Sequence, residues 1–188
     1  MSDDLVMADR FADMFTDPDD DPRDEGPFLG DERPMLVGFL HWQRSTLAMK
    51  CDGLDPEQLA RRSLAPSALS LLGLIRHLTD VERGWFRMMM AGENAQPLFS
   101  STADPDADFN GATADPDLIA SAWQLWGSEA EFTDHFITTA ASLNITGDDP
   151  WRGPMSLRWV LVHVIEEYAR HNGHADLLRE KIDGAVGQ

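Results

Sequence analysis

The stretch that decides the fold covers residues 156–182 and reads SLRWVLVHVIEEYARHNGHADLLREKI. An α-helix turns by about 100° per residue, and on that wheel the segment has one apolar face and one charged face. The apolar face holds Val160, Val164, Tyr168, Ala175 and Leu178. The pattern therefore predicts one long amphipathic helix that buries this face against the rest of the chain.

Ionisable residues interrupt the apolar face of this helix. His171 falls near its middle, Glu167 and His174 lie toward its edge, and His163 sits further out. Glu167 and His171 are one turn apart, so their side chains are neighbours that look inward. A buried charge must be paired or must coordinate something, so this pair needs a partner.

Apolar periodicity predicts three further long helices, at residues 32–51, 67–91 and 116–142. A short helical turn at 55–62 opens with Asp55 as its cap and Pro56 at its first position. Alternation of polar and apolar residues, the pattern of a strand, is missing throughout. The sequence predicts an all-α protein, a four-helix bundle with long connections between its helices.

The second long helix supplies one more inward-looking histidine. Its predicted apolar face consists of Leu71, Leu74, Leu78, Val81, Trp85 and Met89, and His77 lies on the edge of that face. A Glu–His pair one turn apart, with a third ligand from a facing helix, is a common way to hold one metal ion. Two imidazoles and a carboxylate suit Zn²⁺ first, and also Ni²⁺ or Fe²⁺. A hydrogen-bonded Glu–His pair and a satisfied core histidine are the alternative interpretation.

Composition restricts the partners and the location. The 188 residues suit a single domain, and a net charge of −18, with 15 Lys and Arg against 33 Asp and Glu, argues against nucleic acid and anionic membranes. The single cysteine, Cys51, excludes a disulfide framework and is expected to be inert or at the surface. Without a signal-peptide core or an apolar stretch of membrane-spanning length, we expect a cytoplasmic protein.

Two regions are predicted along the chain. Residues 1–29 contain an acidic, proline-containing run and should form a solvated tail or an extended arm that hangs free or wraps a neighbour. Residues 30–188 should form the helical bundle.

Two segments resemble a known superfamily. The pieces LGLIRHLTDVERGWF, at 72–86, and HVIEEYARHNGHADLLRE, at 163–180, are similar to the DinB-like superfamily of metal-binding four-helix bundles. That group includes YfiT-like proteins and the mycothiol-dependent maleylpyruvate isomerases. Within the superfamily, the two segments look most like an uncharacterised actinobacterial branch first noted on a mini-circle transposable element. The resemblance covers roughly residues 30 to 182 and implies a DinB-like bundle.

The resemblance implies a ligand set. In the superfamily one histidine comes from the second helix and two ligands stand four apart on the last helix, before a small polar-glycine step. His77 matches the first position and His171 the last, ahead of Asn172 and Gly173. Glu167 takes the middle position, where many members have histidine and the mycothiol-dependent isomerase has glutamate.

The resemblance also implies thiol chemistry. A low-molecular-weight thiol, mycothiol or bacillithiol, would become a nucleophile on the metal and attack an electrophile in a transferase or detoxification reaction. Trp85, Tyr168 and Arg44 are the residues that could form the substrate pocket, although core packing and a surface charge are simpler explanations. His163 and His174 are candidate catalytic groups.

Two alternatives stay open: a non-catalytic metal-binding bundle, and a metal-dependent hydrolase in which an activated water replaces the thiol. The maleylpyruvate isomerase carries a further C-terminal domain that has no counterpart here, so we do not expect that activity. Related proteins often pair, which makes a homodimer the expected assembly.

Overall fold

The computed structural model describes residues 15–17, 21–24 and 26–187. More than half of the predicted acidic arm, residues 1–29, lies outside the described residues. Within the described part of the arm, Arg23 is buried. Its guanidinium carbon lies 4.2 Å from the centre of the Trp42 ring, and its Nη1 donates to Thr46 Oγ1 at 3.1 Å. This part of the arm packs on its own chain, while the division into arm and bundle stays a prediction.

Helices dominate the described part of the chain. The long ones are α1 (Glu32–Cys51), α3 (Leu71–Glu82), α5 (Pro116–Thr139) and α6 (Leu157–Asp183), and the short ones are α2 (Pro56–Ala60) and α4 (Ala107–Asn110). A π-helical segment, Arg83–Met90, continues α3. Helix α1 packs against α6, and α3 packs against both α5 and α6. The predicted mainly helical character is confirmed.

Polar caps explain where the helices begin. The Asp55 side chain accepts from the Gln58 amide and Pro56 occupies the first turn of α2, as predicted. Ser70 caps α3 by accepting from the Gly73 amide at 3.1 Å, so this helix begins later than the predicted residue 67. Ser156 caps α6 at the predicted position by accepting from the Trp159 amide.

A short hairpin precedes α6, and the expectation that the chain has no strand is wrong at this point. Strand β1 (Thr146–Asp149) pairs antiparallel with β2 (Gly153–Ser156), with Thr146 opposite Ser156. The strands are too short and too polar to show a period-2 pattern. The turn specifies them instead, because Asp149 Oδ1 accepts from the amides of Trp151 and Arg152 at 3.0 and 2.7 Å.

The π-helical segment changes which residues face the core. The predicted face continued through Val81, Trp85 and Met89, all of which are only partly buried. The buried positions are instead Glu82, Phe86 and Met90. Glu82 belongs to α3 and lies one turn after Leu78, so it is as well placed as Val81 to face the core. From Arg83 on, the π-helix has more residues per turn than an α-helix, so the face moves from Trp85 and Met89 to Phe86 and Met90. Trp85 is thereby turned away from the centre of the core.

The predicted inner face of α6 is confirmed. All five of its apolar residues are fully buried: Val160, Val164, Tyr168, Ala175 and Leu178. They pack with leucines of α1 and α3 in one core cluster. Among the described residues, none of the helices is both long and apolar enough to cross a membrane.

A buried ion pair links the helices. Arg44 of α1 donates from Nε and Nη2 to the two carboxylate oxygens of Glu82 at 2.8 and 2.6 Å. The Arg44 and Glu82 residues are 5% and 1% exposed, so the pair is shielded from water. Arg44 Nη1 also donates to Asp134 of α5 at 2.7 Å. Burial alone would lower the pKa of Arg44, but the Glu82 carboxylate raises it, so the guanidinium stays charged.

Tyr168 connects α6 to the same pair. Its hydroxyl donates to Glu82 Oε1 at 2.6 Å and accepts from Trp126 Nε1 at 2.8 Å. Burial, followed by the Glu82 charge, raises the pKa of Tyr168, so the phenol keeps its proton. The hydrogen bonds therefore join side chains from all four long helices.

Replacing Arg44 by Met should lower the free energy of unfolding by about 3–5 kcal/mol, because Glu82 would be left buried without its cation. Urea denaturation measures this loss. The matched control is Arg158→Met, whose partner is Glu32 in an ion pair with both side chains largely exposed. That change should cost no more than about 1 kcal/mol. Equal losses in the two variants would contradict a structural function of the buried pair.

Candidate metal centre

His77 is held by a carboxylate from another element. Its Nδ1 lies 2.8 Å from Oδ2 of Asp108, a residue of α4 that is 4% exposed. Its ring also stacks on Phe109, with ring centres 5.0 Å apart. A carboxylate that accepts from one ring nitrogen orients the imidazole and leaves the other nitrogen, Nε2, as the possible metal ligand.

Helix α4 is fixed to α3 by hydrogen bonds from an arginine side chain to two backbone carbonyls. Arg76 of α3 donates from Nε to the Asp108 carbonyl at 2.7 Å and from Nη2 to the Ala107 carbonyl at 2.9 Å. A Cβ atom on Gly73 would lie 3.0 Å from Phe109 Cδ1, so this glycine permits the close approach. The sequence pattern does not select Asp108, because an acid between the helices predicted at 67–91 and 116–142 has no helical spacing to mark it.

Helix α6 supplies the other two groups. His171 Nε2 lies 3.6 Å from Glu167 Oε2, one turn earlier. The rings of His171 and His77 have their centres 4.7 Å apart. One ligand atom from each of His77, Glu167 and His171 lies within 4.8 Å of the other two. The structure thus brings together the three residues that the sequence selects.

The spacing and the chemistry of these donors fit one metal ion. Ligands about 2.0–2.2 Å from a tetrahedral ion are separated by about 3.4 Å, close to the Glu167–His171 distance. Two imidazoles and one carboxylate suit Zn²⁺, Ni²⁺ or Fe²⁺. The side chains of His77, Glu167 and His171 are 25%, 24% and 11% exposed, so a small molecule can reach the cluster from solvent.

Electrostatics favour the ligand form of His171. Burial, together with the neighbouring His77 and His174, lowers the pKa of His171 from 6.5 to about 4. The imidazole is therefore neutral at neutral pH. A neutral imidazole is the form that binds a metal ion.

The two other histidines of α6 also lie beside the cluster. His174 Nδ1 is 3.3 Å from His171 Nδ1. His163 Nε2 is 3.7 Å from Glu167 Oε1. His163 also stacks on Trp159, with ring centres 4.9 Å apart, and meets the edge of Trp85 at 4.8 Å. His163 thus lies beside Glu167 and His174 beside His171, and a catalytic function of either histidine stays a prediction.

The predicted pocket residues have different surroundings. Trp85 is partly buried and reaches the cluster side of α6 through His163. Tyr168 and Arg44 are instead buried around Glu82, where their polar atoms are already hydrogen-bonded. Their function in a substrate pocket stays a prediction, and their contacts give both a structural function.

The thiol of the chain itself is not available for chemistry. Cys51 is buried, and this burial raises the pKa of its thiol to about 12. A thiol with such a pKa carries almost no thiolate at neutral pH, and the thiolate is the nucleophile. The prediction of an inert cysteine agrees with this environment, whereas a surface position does not.

A family model described as mycothiol-S-transferase matches residues 35–184, a range that includes the whole His–Glu–His cluster. The chain belongs to the mycothiol S-transferase family. This family is a member of the DinB-like superfamily, so the resemblance seen in the sequence is confirmed. None of the curated proteins matches the chain. The description of this family names a thiol, mycothiol, and a transferase activity.

Replacing Asp108 by Asn should weaken zinc binding by about 10–100-fold, because a neutral amide orients His77 less strongly and polarises it less. Calorimetric titration of the metal-free protein with zinc measures the change. Asp106→Asn is the control, since Asp106 lies in the same segment with an exposed side chain. Unchanged affinity in the Asp108 variant would exclude this carboxylate as a support of the centre.

Proposed function

We propose that this protein is a metal-dependent mycothiol S-transferase that joins the thiol to a small electrophile. The fold is proposed to be a DinB-like four-helix bundle, with α1, α3, α5 and α6 as its helices. His77, Glu167 and His171 would hold a divalent ion, with zinc the first choice and nickel or iron the alternatives. The observation that carries the proposal is the convergence of these three donors within 4.8 Å from two helices.

The environment of the donors supports this proposal. His77 has a buried carboxylate partner in Asp108, as the histidine ligands of metal ions commonly do. His171 is neutral, and one carboxylate, Glu167, balances part of the charge of a divalent ion. Because the cluster is partly exposed, solvent or a thiol has access to positions that the protein leaves open.

A divalent ion bound here would lower the pKa of a thiol and favour its thiolate form. Residues of the chain would then accept the proton and orient the ligands. His163, whose Nε2 lies 3.7 Å from Glu167 Oε1, would take the thiol proton. Sulfur forms a bond to the electrophilic carbon, and the bond from that carbon to its leaving group breaks with its electron pair. His174, next to His171, would keep that ligand oriented.

Purified protein without an affinity tag should contain close to one equivalent of metal, measured by elemental analysis. His171→Ala should lose most of it, because one of three protein ligands disappears. The matched control is His135→Ala, which removes an exposed histidine of α5. If the wild-type protein contains no metal after incubation with zinc, nickel or iron, the metal site is excluded. The cluster is then a hydrogen-bonded Glu–His pair beside a core histidine.

Metal-loaded protein should accelerate the reaction of mycothiol with monochlorobimane, followed by fluorescence. Removing the metal through His171→Ala should lower the enzymatic rate by at least about 100-fold, since a metal ion contributes several kcal/mol to catalysis. Bacillithiol in place of mycothiol tests which thiol is used. A rate equal to the uncatalysed reaction with both thiols would contradict the transferase and favour a non-catalytic metal-binding protein.

A metal-dependent hydrolase is the second candidate, and the positions of His163 and His174 beside the cluster favour it. A water bound at the centre would then be the nucleophile, with one of these histidines moving its proton. Activity on ester or amide substrates without any thiol separates this function from the transferase. The homodimer stays a prediction, to be measured by sedimentation.

A further inference from the structure

A group of aromatic and basic side chains lies next to the cluster, and among them only His163 takes part in the chemistry described so far. We call Trp85, Arg152, Trp159 and His163 the indole–arginine surface. Trp85 lies 5.6 Å from Trp159 between ring centres, and both rings contact His163. The Arg152 guanidinium carbon lies 6.0 Å from the centre of the Trp85 ring. Residues from three elements thus converge on one patch.

Two backbone features build this surface. The π-helical segment turns Trp85 out of the core and toward α6. The hairpin that carries Arg152 then lies directly against this segment, because Gly147 leaves room for it. A Cβ atom at Gly147 would lie 2.5 Å from the carbonyl oxygen of Met89. The tight contact fixes the distance between Trp85 and the hairpin turn.

The polar and aromatic groups of this surface are open to a ligand. Trp159 is 41% exposed, which is high for an indole. The Arg152 side chain is 59% exposed, and its ion pair with Asp149 is long, at 3.9 Å. Asp149 uses the same oxygen to accept the amides of the turn. Arg152 is therefore a loosely paired cation in a chain with a net charge of −18.

The surface adjoins both an open depression and the cluster. The depression, of about 360 Å³, is lined by Arg152, Pro154, Met155, Ser156 and Trp159. On the other side, His163 Nε2 is 3.7 Å from Glu167 Oε1. A molecule on the indoles would thus lie within one side chain of the proposed metal ligands.

We propose that the indole–arginine surface binds the electrophile, and that it selects a flat aromatic ring carrying an anionic group. The indoles supply stacking area for the ring, and the guanidinium pairs with a carboxylate or sulfonate. This proposal rests on the proposed transferase function only where it identifies the bound ligand as the electrophile of that reaction. The binding site itself stands on the contacts of the four residues.

The test uses 2-naphthoate and its neutral counterpart 2-naphthamide, titrated by calorimetry into the full chain without thiol. Naphthoate should bind more tightly than the amide. Arg152→Gln should weaken naphthoate binding by roughly tenfold and leave the amide unchanged, since it removes only the charge pair. Trp159→Ala should weaken both ligands by about threefold to tenfold, since it removes stacking.

Arg61→Gln is the matched control, because it removes the same charge from an exposed position. It lies two residues before Ser63, whose hydroxyl donates to the Leu178 carbonyl of α6. Leu178 is about 22 Å along that helix from His163, at the usual rise per residue. Equal affinity for the two naphthalenes, or equal effects of the two arginine variants, would overturn the proposal.

A failure of this site is distinguishable from a failure of the transferase function. His171→Ala should lose metal yet bind naphthoate with wild-type affinity. Wild-type protein that binds metal and turns over thiol but does not bind naphthoate would refute only the electrophile site. Naphthoate binding without turnover would refute only the transferase. Trp159→Phe, which keeps an aromatic ring, replaces the alanine variant if that variant unfolds.

Discussion

The buried pair of Arg44 and Glu82 is the constraint on which the rest of the structure depends. Glu82 lies at the end of α3, five residues after His77, and accepts from Tyr168, the residue that follows Glu167 on α6. A charged group without solvent must keep its partners, so α3 cannot rotate or slide against α6 without a large cost. The same pair therefore sets how closely His77 approaches Glu167 and His171.

The residues of the His–Glu–His cluster differ in how firmly their surroundings hold them. Arg76 donates to the backbone of α4, and Asp108 of α4, which is 4% exposed, orients His77 through a hydrogen bond. Glu167, by contrast, is partly exposed and has His163 rather than a buried donor beside its second oxygen. In the proposed metal centre, an imidazole oriented by Asp108 and a partly exposed carboxylate would therefore differ in how freely they move.

The sequence predicts the helices and the three clustered donors well, and it fails where local periodicity carries no information. On a helical wheel, the ionisable residues His77, Glu167 and His171 fall on or beside an otherwise apolar face, so the pattern itself identifies them. Asp108 has no such spacing, and the partner of Arg44, 38 residues away, is invisible on a helical wheel. The hairpin depends on the Asp149 turn rather than on alternation. A constant α-helical repeat predicts Trp85 on the core-facing side, and that repeat does not hold where the helix widens.

The π-helical segment continues α3 without a break but changes the number of residues per turn from Arg83 onward. The regular helix ends at Glu82 and the wider one begins at Arg83, so the buried positions continue at Phe86 and Met90 rather than at Trp85 and Met89. A deletion after Phe86 that restored the α-helical repeat would turn Trp85 toward the core and Phe86 away from it, whereas a deletion before Phe86 would leave Phe86 in the core. The number of residues in this segment thus determines which aromatic ring lies beside His163, while His77, upstream of the segment, keeps its position.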